Sequence, residues 1–214
     1  MILGILSACL FVLTMATAFF KRFRCLHRWV GLVFLLTVLL HAVMVWPLMD
    51  RRPLGVYVLG GIAALGAGLG CISSLMKKKL GKRWKLVHRL SAVLVGAAMV
   101  LHIGAAVCSL LSYQKAVDNL DVQSISIEEV ADGTYEGACD VGYIYAKVRV
   151  TVENGHLTDI QLLEHRHERG ALAEQITGNI LSQQRLDVDT VSSATNSSKV
   201  IQKAIENALK EGLS

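Results

Sequence analysis

The sequence predicts a membrane all-α four-helix bundle followed by a small α+β domain. Three observations carry that prediction. Apolar runs of membrane-spanning length fill the first half, the charge divides unequally between the halves, and the hydrophobic period changes from helical to alternating in the second half. Of the 214 residues 53% are hydrophobic and 18% charged, against about 25% charged in a typical soluble domain. Residues 1–112 hold 13 Lys and Arg and one acid, Asp50, whereas residues 113–214 hold 9 Lys and Arg and 16 acids. The basic excess sits between apolar runs, where membrane proteins keep their cytoplasmic loops. It is therefore not a nucleic-acid signature, and no nucleic-acid partner is expected. A soluble single domain and a disordered chain are both excluded. The expected organisation is a transmembrane domain at 1–112, a linker at 113–124 and an extracytoplasmic domain at 125–214.

Four apolar segments are legible: Ile2–Phe20, Trp29–Trp46, Leu54–Met76 and Leu86–Leu111. Each is near the ~20 residues needed to cross the hydrocarbon core. The first lacks a basic n-region and its charges follow it, so it reads as a retained helix rather than a signal peptide. Lys21, Arg22, Arg24 and Arg28 lie between the first two segments. Lys77, Lys78, Lys79, Lys82, Arg83, Lys85 and Arg89 lie around the third connection. The positive-inside bias makes both connections cytoplasmic. Both termini and the acidic tail then lie outside, in a cell-membrane protein with four spans surrounded by lipid. The five cysteines form no CxxC pair, so neither a zinc site nor a disulfide framework is expected.

His27 and His41 belong to the second segment, and His88 and His102 to the fourth; each pair is 14 residues apart. Fourteen helical residues turn through about 1400°, which is about 40° short of four turns, so each pair shares a face over a rise of ~21 Å. Both segments start from the cytoplasmic side. His27 and His88 are thus level near the inner face, and His41 and His102 near the outer. Opposed histidines can supply both axial ligands of a haem iron, and two layers would hold two haem b groups. No CxxCH motif occurs, which excludes covalent c-type attachment. The alternative is that these histidines are ordinary polar residues bonded to neighbouring helices. Intramembrane ionisable groups are unfavourable, however, and tend to mark function. The doubled spacing resembles diheme four-helix membrane cytochromes b, including ferric-reductase-like transmembrane domains, over about half the chain.

Beyond the membrane half the pattern changes. Asp132-Gly133 is a turn signal, and Tyr135–Ala138, Ile144–Glu153 and Leu157–Glu164 read as strands. Tyr145, Lys147, Arg149 and Thr151 alternate with Ala146, Val148, Val150 and Val152, the period of a half-buried strand. Asn154-Gly155 is a hairpin turn. Leu172–Gln184 and Ser197–Leu213 have helical periodicity. The run from Asp189 to Ser198 places hydroxyls and free backbone N–H groups at a helix start, which suits a phosphate; taken alone it is also a plain polar turn with a helix cap. His165 and His167, among Arg166, Glu168 and Arg169, read as a solvated charged edge, with a proton shuttle or a surface metal site as alternatives.

These segments carry a resemblance. Asp-Gly-Thr-Tyr-Glu-Gly at 132–137, the strands around Asn154-Gly155, Leu163-Glu164-His165 leading to Gly170, and Asp-x-x-Ser-Ser-Ala-Thr at 189–195 followed by Ser197-Ser198-Lys199 resemble the FMN-binding domain of the covalent flavoprotein subunits of the Na+-translocating NADH:quinone reductase and the Rnf complex. The resemblance implies that a flavin transferase joins the phosphate of FMN to Thr195 as a phosphoester. It implies that Ser192, Ser193 and Ala194 line the phosphate end, that Asp189 also belongs to the FMN site, and that the loop of Glu168 and Gly170 approaches the isoalloxazine. Ser193 departs from the family's usual glycine, and Arg169 from its usual proline.

Together the halves lead to an expected function. Electrons from a quinol or a cytoplasmic redox donor would pass through two b-type haems to covalent FMN and on to an extracytoplasmic acceptor. The alternatives are an FMN-dependent reductase acting directly on a small substrate or metal ion, a redox subunit of an ion-pumping complex, and a non-redox membrane anchor. No catalytic residue is assigned.

Overall fold

The computed structural model describes residues 2–167 and 170–213. The chain divides into two compact units, residues 1–109 and 110–214. The helical elements are α1 (Ile2–Phe19), α2 (Arg24–Val45), α3 (Leu54–Leu75), the short basic α4 (Lys77–Leu80) and α5 (Trp84–Asp118). Leu, Val and Ala dominate these runs and no proline interrupts them. Pro47 marks the end of α2, where the chain tightens into a 3-10 segment over Trp46–Arg51. Pro53 precedes α3, and Gly81, at φ +54, ends α4. Among the described residues, four stretches are long and apolar enough to span a membrane. The fourth helix extends past the apolar run to Asp118, carrying the polar residues 113–118 as further helical turns.

Polarity in this unit is inverted relative to a water-soluble bundle. Leu65, Val93 and Val100 are exposed, whereas Ser7, Thr14, Thr17, Ser73 and Ser91 are buried. The buried hydroxyls donate to carbonyls of their own helices, as Ser7 does to Leu3 at 2.9 Å and Ser73 to Gly70 at 2.8 Å. Small hydroxylated residues allow helices to approach closely, while lipid is the solvent that suits the outward leucines.

The second unit contains a three-stranded antiparallel sheet in the order β1-β2-β3, formed by β1 (Gly133–Asp140), β2 (Tyr145–Glu153) and β3 (His156–Arg166). Asn154 and Gly155 have φ +53 and +72, the conformation that a two-residue hairpin requires and that Asn-Gly adopts readily. Ala146, Val148, Val150 and Val152 are fully buried, so the predicted alternation places one face of β2 in the core. That face meets α7 (Thr195–Glu211), whose Val200, Ile201, Ala204, Ile205, Ala208 and Leu209 are fully buried too. Burying each Val, Leu or Ile side chain contributes about 1.5–3 kcal/mol. A side chain at Gly137 would meet the α7 backbone at Ala204, which explains the second glycine of the 132–137 motif. A 3-10 turn over Ala171–Gln175 leads into α6 (Ile176–Gln183), so the predicted second-half helix starts later than its apolar pattern.

The segment after α5 is pinned to α7. The buried Glu206 carboxylate accepts the Gln123 N–H at 3.0 Å and pairs with Lys203 and Lys210 at 2.8 and 2.5 Å. Lys203 also donates to the Asp121 carbonyl at 2.8 Å.

Candidate functional site

In the helical unit, His27 on α2 and His88 on α5 face each other. Their ring centroids are 6.1 Å apart and the ring planes cross at 78°. Two imidazoles bonded to one metal at about 2 Å each have centroids roughly 6 Å apart. The pair therefore fits bis-imidazole ligation of a haem iron.

Each ring is oriented by a neighbouring helix. His27 Nδ1 lies 2.9 Å from the Thr14 carbonyl oxygen on α1, and His88 Nδ1 lies 2.9 Å from the Gly70 carbonyl oxygen on α3. His102 Nδ1 lies 2.8 Å from the Val56 carbonyl oxygen. A carbonyl only accepts, so Nδ1 carries the proton in all three, and Nε2 keeps the lone pair that a metal needs. His41 and His102 line one cavity of about 320 Å³ with Val38, Tyr57, Gly60 and Gly61. Gly4 lies against the His41 ring and Gly60 against His102, where an added Cβ would come within 3.3 and 3.1 Å.

The carbonyls of Thr14, Val56 and Gly70, and the clearances at Gly4 and Gly60, are not found by counting histidines. An internal repeat marks several of them. Lys21-Arg22-Phe23-Arg24-Cys25-Leu26-His27-Arg28 corresponds to Lys82-Arg83-Trp84-Lys85-Leu86-Val87-His88-Arg89 at an offset of 61 residues, which also relates His41 to His102. Gly4 and Thr14 are spaced by 10 residues, as are Gly60 and Gly70. In each helix pair the first helix supplies clearance to the second histidine of its partner helix, His41 or His102, and a carbonyl to the first, His27 or His88.

In the second unit, α7 begins at Thr195, which is exposed. Its N-cap is Ala194, which gives no side-chain cap. The Ser198 N–H makes the first bond back into the helix, to the Ala194 carbonyl at 2.9 Å. The N–H groups of Thr195, Asn196 and Ser197 precede it, and such groups with the helix dipole favour an anion. The turn before them is held by the Ala194 N–H to the Val191 carbonyl at 3.0 Å and the Val191 N–H to Ser198 Oγ at 3.1 Å. Ser193 sits at its third position with φ +66. That is the backbone conformation a type II turn demands and glycine adopts most readily. The serine thus keeps the turn, at a local strain of about 1–2 kcal/mol.

Gly170 meets the first turn of α7. A Cβ there would fall 1.9 Å from Ser197 Oγ and 2.7 Å from its Cβ. The structure brings Gly170, Ser192, Ser193, Ala194 and Thr195 around one helix start, with Ser197 as the contact that the sequence reading omitted. Asp189 is exposed in the segment leading to the turn. Gln202 fixes that segment by donating to the carbonyls of Leu186 and Val188 at 3.0 and 2.9 Å. Asn196 donates to the Tyr113 hydroxyl at 2.9 Å. Glu168 lies outside the described residues.

An uncharacterized protein of Treponema pallidum (strain Nichols) is 25% identical over 142 residues, covering 64% of this chain and 39% of the relative. The chain thus spans about two fifths of the length of that curated relative. No solved structure matches. Residues 142–210 match the family model of the FMN-binding domain. Residues 142–210, which follow four helices long and apolar enough to cross a membrane, are therefore an FMN-binding domain within the C-terminal region.

Proposed function

We propose that the protein transfers electrons across a cell membrane, between a donor on the cytoplasmic side or in the quinol pool and an extracytoplasmic acceptor. It would do so with two b-type haems and an FMN joined to Thr195 by a phosphoester, made by a flavin transferase. The carrying observation is the 6.1 Å separation of the His27 and His88 rings, with both Nδ1 atoms against carbonyls of adjacent helices. Bound haem and flavin supply the redox chemistry, while the protein supplies position and electrostatics.

The chain's own residues have definite tasks in this reading. His27 with His88 would hold one iron through Nε2, and His41 with His102 would hold the second. The Thr14, Gly70 and Val56 carbonyls fix tautomer and ring angle and raise ligand basicity. Thr195 offers the esterified hydroxyl. The first N–H groups of α7 hold the phosphate, and Ser192, Ser193 and Ala194 shape the turn that presents it. Asp189 and Glu168 belong to the same binding region by the family resemblance, and Gly170 leaves room beside Ser197. The basic connections set an orientation with both termini and the FMN domain outside.

The test is a reduced-minus-oxidised spectrum of the full chain in detergent, with a haem-to-protein ratio. Two b-type haems per chain are expected. Absence of haem after expression with adequate haem supply overturns the haem assignment and leaves a membrane-anchored flavoprotein.

A further inference from the structure

His165 and His167 leave the end of β3 two residues apart, the spacing that places side chains on one side of an extended chain. His165 departs from the expected solvated edge, whereas His167 is half-exposed. The His165 side chain is 2% exposed, and the two rings lie 4.4 Å apart between centroids, tilted by 39°. His165 Nδ1 lies 3.0 Å from Glu174 Oε1, while its Nε2 is buried with no hydrogen-bond partner among the described residues. A buried polar atom without a partner calls for an explanation. With Nδ1–H donated to the carboxylate, the orphaned Nε2 holds a lone pair and seeks a proton donor or a metal.

We infer that His165, His167 and Glu174 form a binding site for a divalent transition-metal ion of the zinc class. One donor atom from each of the three lies within 4.8 Å of the other two. Glu174 against Nδ1 with Nε2 left for the ion is the carboxylate–histidine–metal arrangement, in which the carboxylate sets tautomer and basicity. The His167 ring is anchored by the Gly170 N–H donating to its Nδ1 at 3.0 Å, and a metal competes with that amide for the same lone pair. Two imidazoles, one of them backed by a carboxylate, suit zinc, cobalt, nickel or copper, whereas magnesium and calcium prefer all-oxygen sites. The site uses none of the membrane histidines and does not depend on haem or flavin.

The test uses the full chain in detergent, stripped with chelator and dialysed against Zn2+, with bound zinc measured per chain by atomic emission. The parent protein should hold one more zinc than either His165→Ala or His167→Ala, whereas His156→Ala should match the parent. Glu174→Gln, a conservative change at a half-exposed side chain, should weaken binding by about 10–100-fold. Co2+ should give visible d–d absorption that His165→Ala removes. Zinc taken up by the membrane histidines appears equally in all samples and cancels in the difference. Equal zinc in the parent and His165→Ala, with circular dichroism showing both folded, overturns the site, as does parent-like affinity in Glu174→Gln.

Discussion

Gly70 and His88 are joined by a 2.9 Å contact between the glycine carbonyl oxygen and the histidine Nδ1. The acceptor lies on α3 and the ring on α5, so helix packing decides which histidine nitrogen is left for a metal. Thr14 does the same for His27 across α1 and α2. The two contacts hold His27 and His88 as a pair whose rings cannot turn without abandoning a half-buried hydrogen bond.

Replacing one histidine of a layer should remove one haem and spare the other. His27→Ala and His88→Ala should lose the same spectral component, and His41→Ala and His102→Ala the other one. Haem-to-protein ratios and potentiometric titration check this. Four variants with four unrelated spectra would show that the layers are paired differently.

Thr195→Ala should abolish in-gel flavin fluorescence of the denatured band, because no hydroxyl remains to carry the ester. Fluorescence that persists would place the covalent link elsewhere. Thr195→Ser keeps the hydroxyl and tests whether any loss is chemical rather than conformational.

Gly170→Ala should destabilise the FMN-binding unit by about 1–3 kcal/mol, the range for a side chain forced into filled space. Its Cβ would lie 1.9 Å from Ser197 Oγ. Adding Ser197→Gly should recover part of the loss. Thermal melts of the two proteins give the answer, and an unchanged Tm in Gly170→Ala would refute the contact.

Ser193→Gly should stabilise the same unit by about 1 kcal/mol, since glycine adopts positive φ without a Cβ clash. The serine has φ +66. A lower or unchanged Tm would mean that the serine makes a compensating interaction worth as much as the strain.

Glu206 should give the FMN-binding unit an acid-sensitive component. Burial acts to raise its pKa, but hydrogen bonds from Lys203, Lys210 and the Gln123 N–H prevail and hold it below the ordinary value of 4.5. A depressed folded value means stabilisation that is complete above the unfolded pKa and lost as pH falls through the lower folded one. Glu206→Gln should therefore be less stable than the parent at neutral pH, by about 1–3 kcal/mol, with the gap closing below about pH 4.5. Chemical denaturation across pH 3–7 (about the carboxylate range) measures it, and a pH-independent gap would assign the effect to packing alone.

Features that depend on local period and spacing were legible in the chain before it folds. Four apolar runs gave four helices because each is long enough to satisfy its own backbone in lipid. Alternation through Tyr145–Glu153 gave a strand with one buried face, and Asn154-Gly155 gave its hairpin. Fourteen-residue spacings put the histidines on common helix faces, and the Ser-Ala-Thr run marked the start of α7. Tertiary structure decided the rest, because the partners are far apart in the chain. Val56 orients His102 and Gly70 orients His88 only once α3 lies against α5, and Ser197 meets Gly170 only when α7 crosses the sheet. The charges around His165 suggested solvent, yet the fold buries its ring and leaves one nitrogen unpaired. Periodicity shows which face a residue takes, whereas burial and hydrogen-bond partners are set by which faces meet.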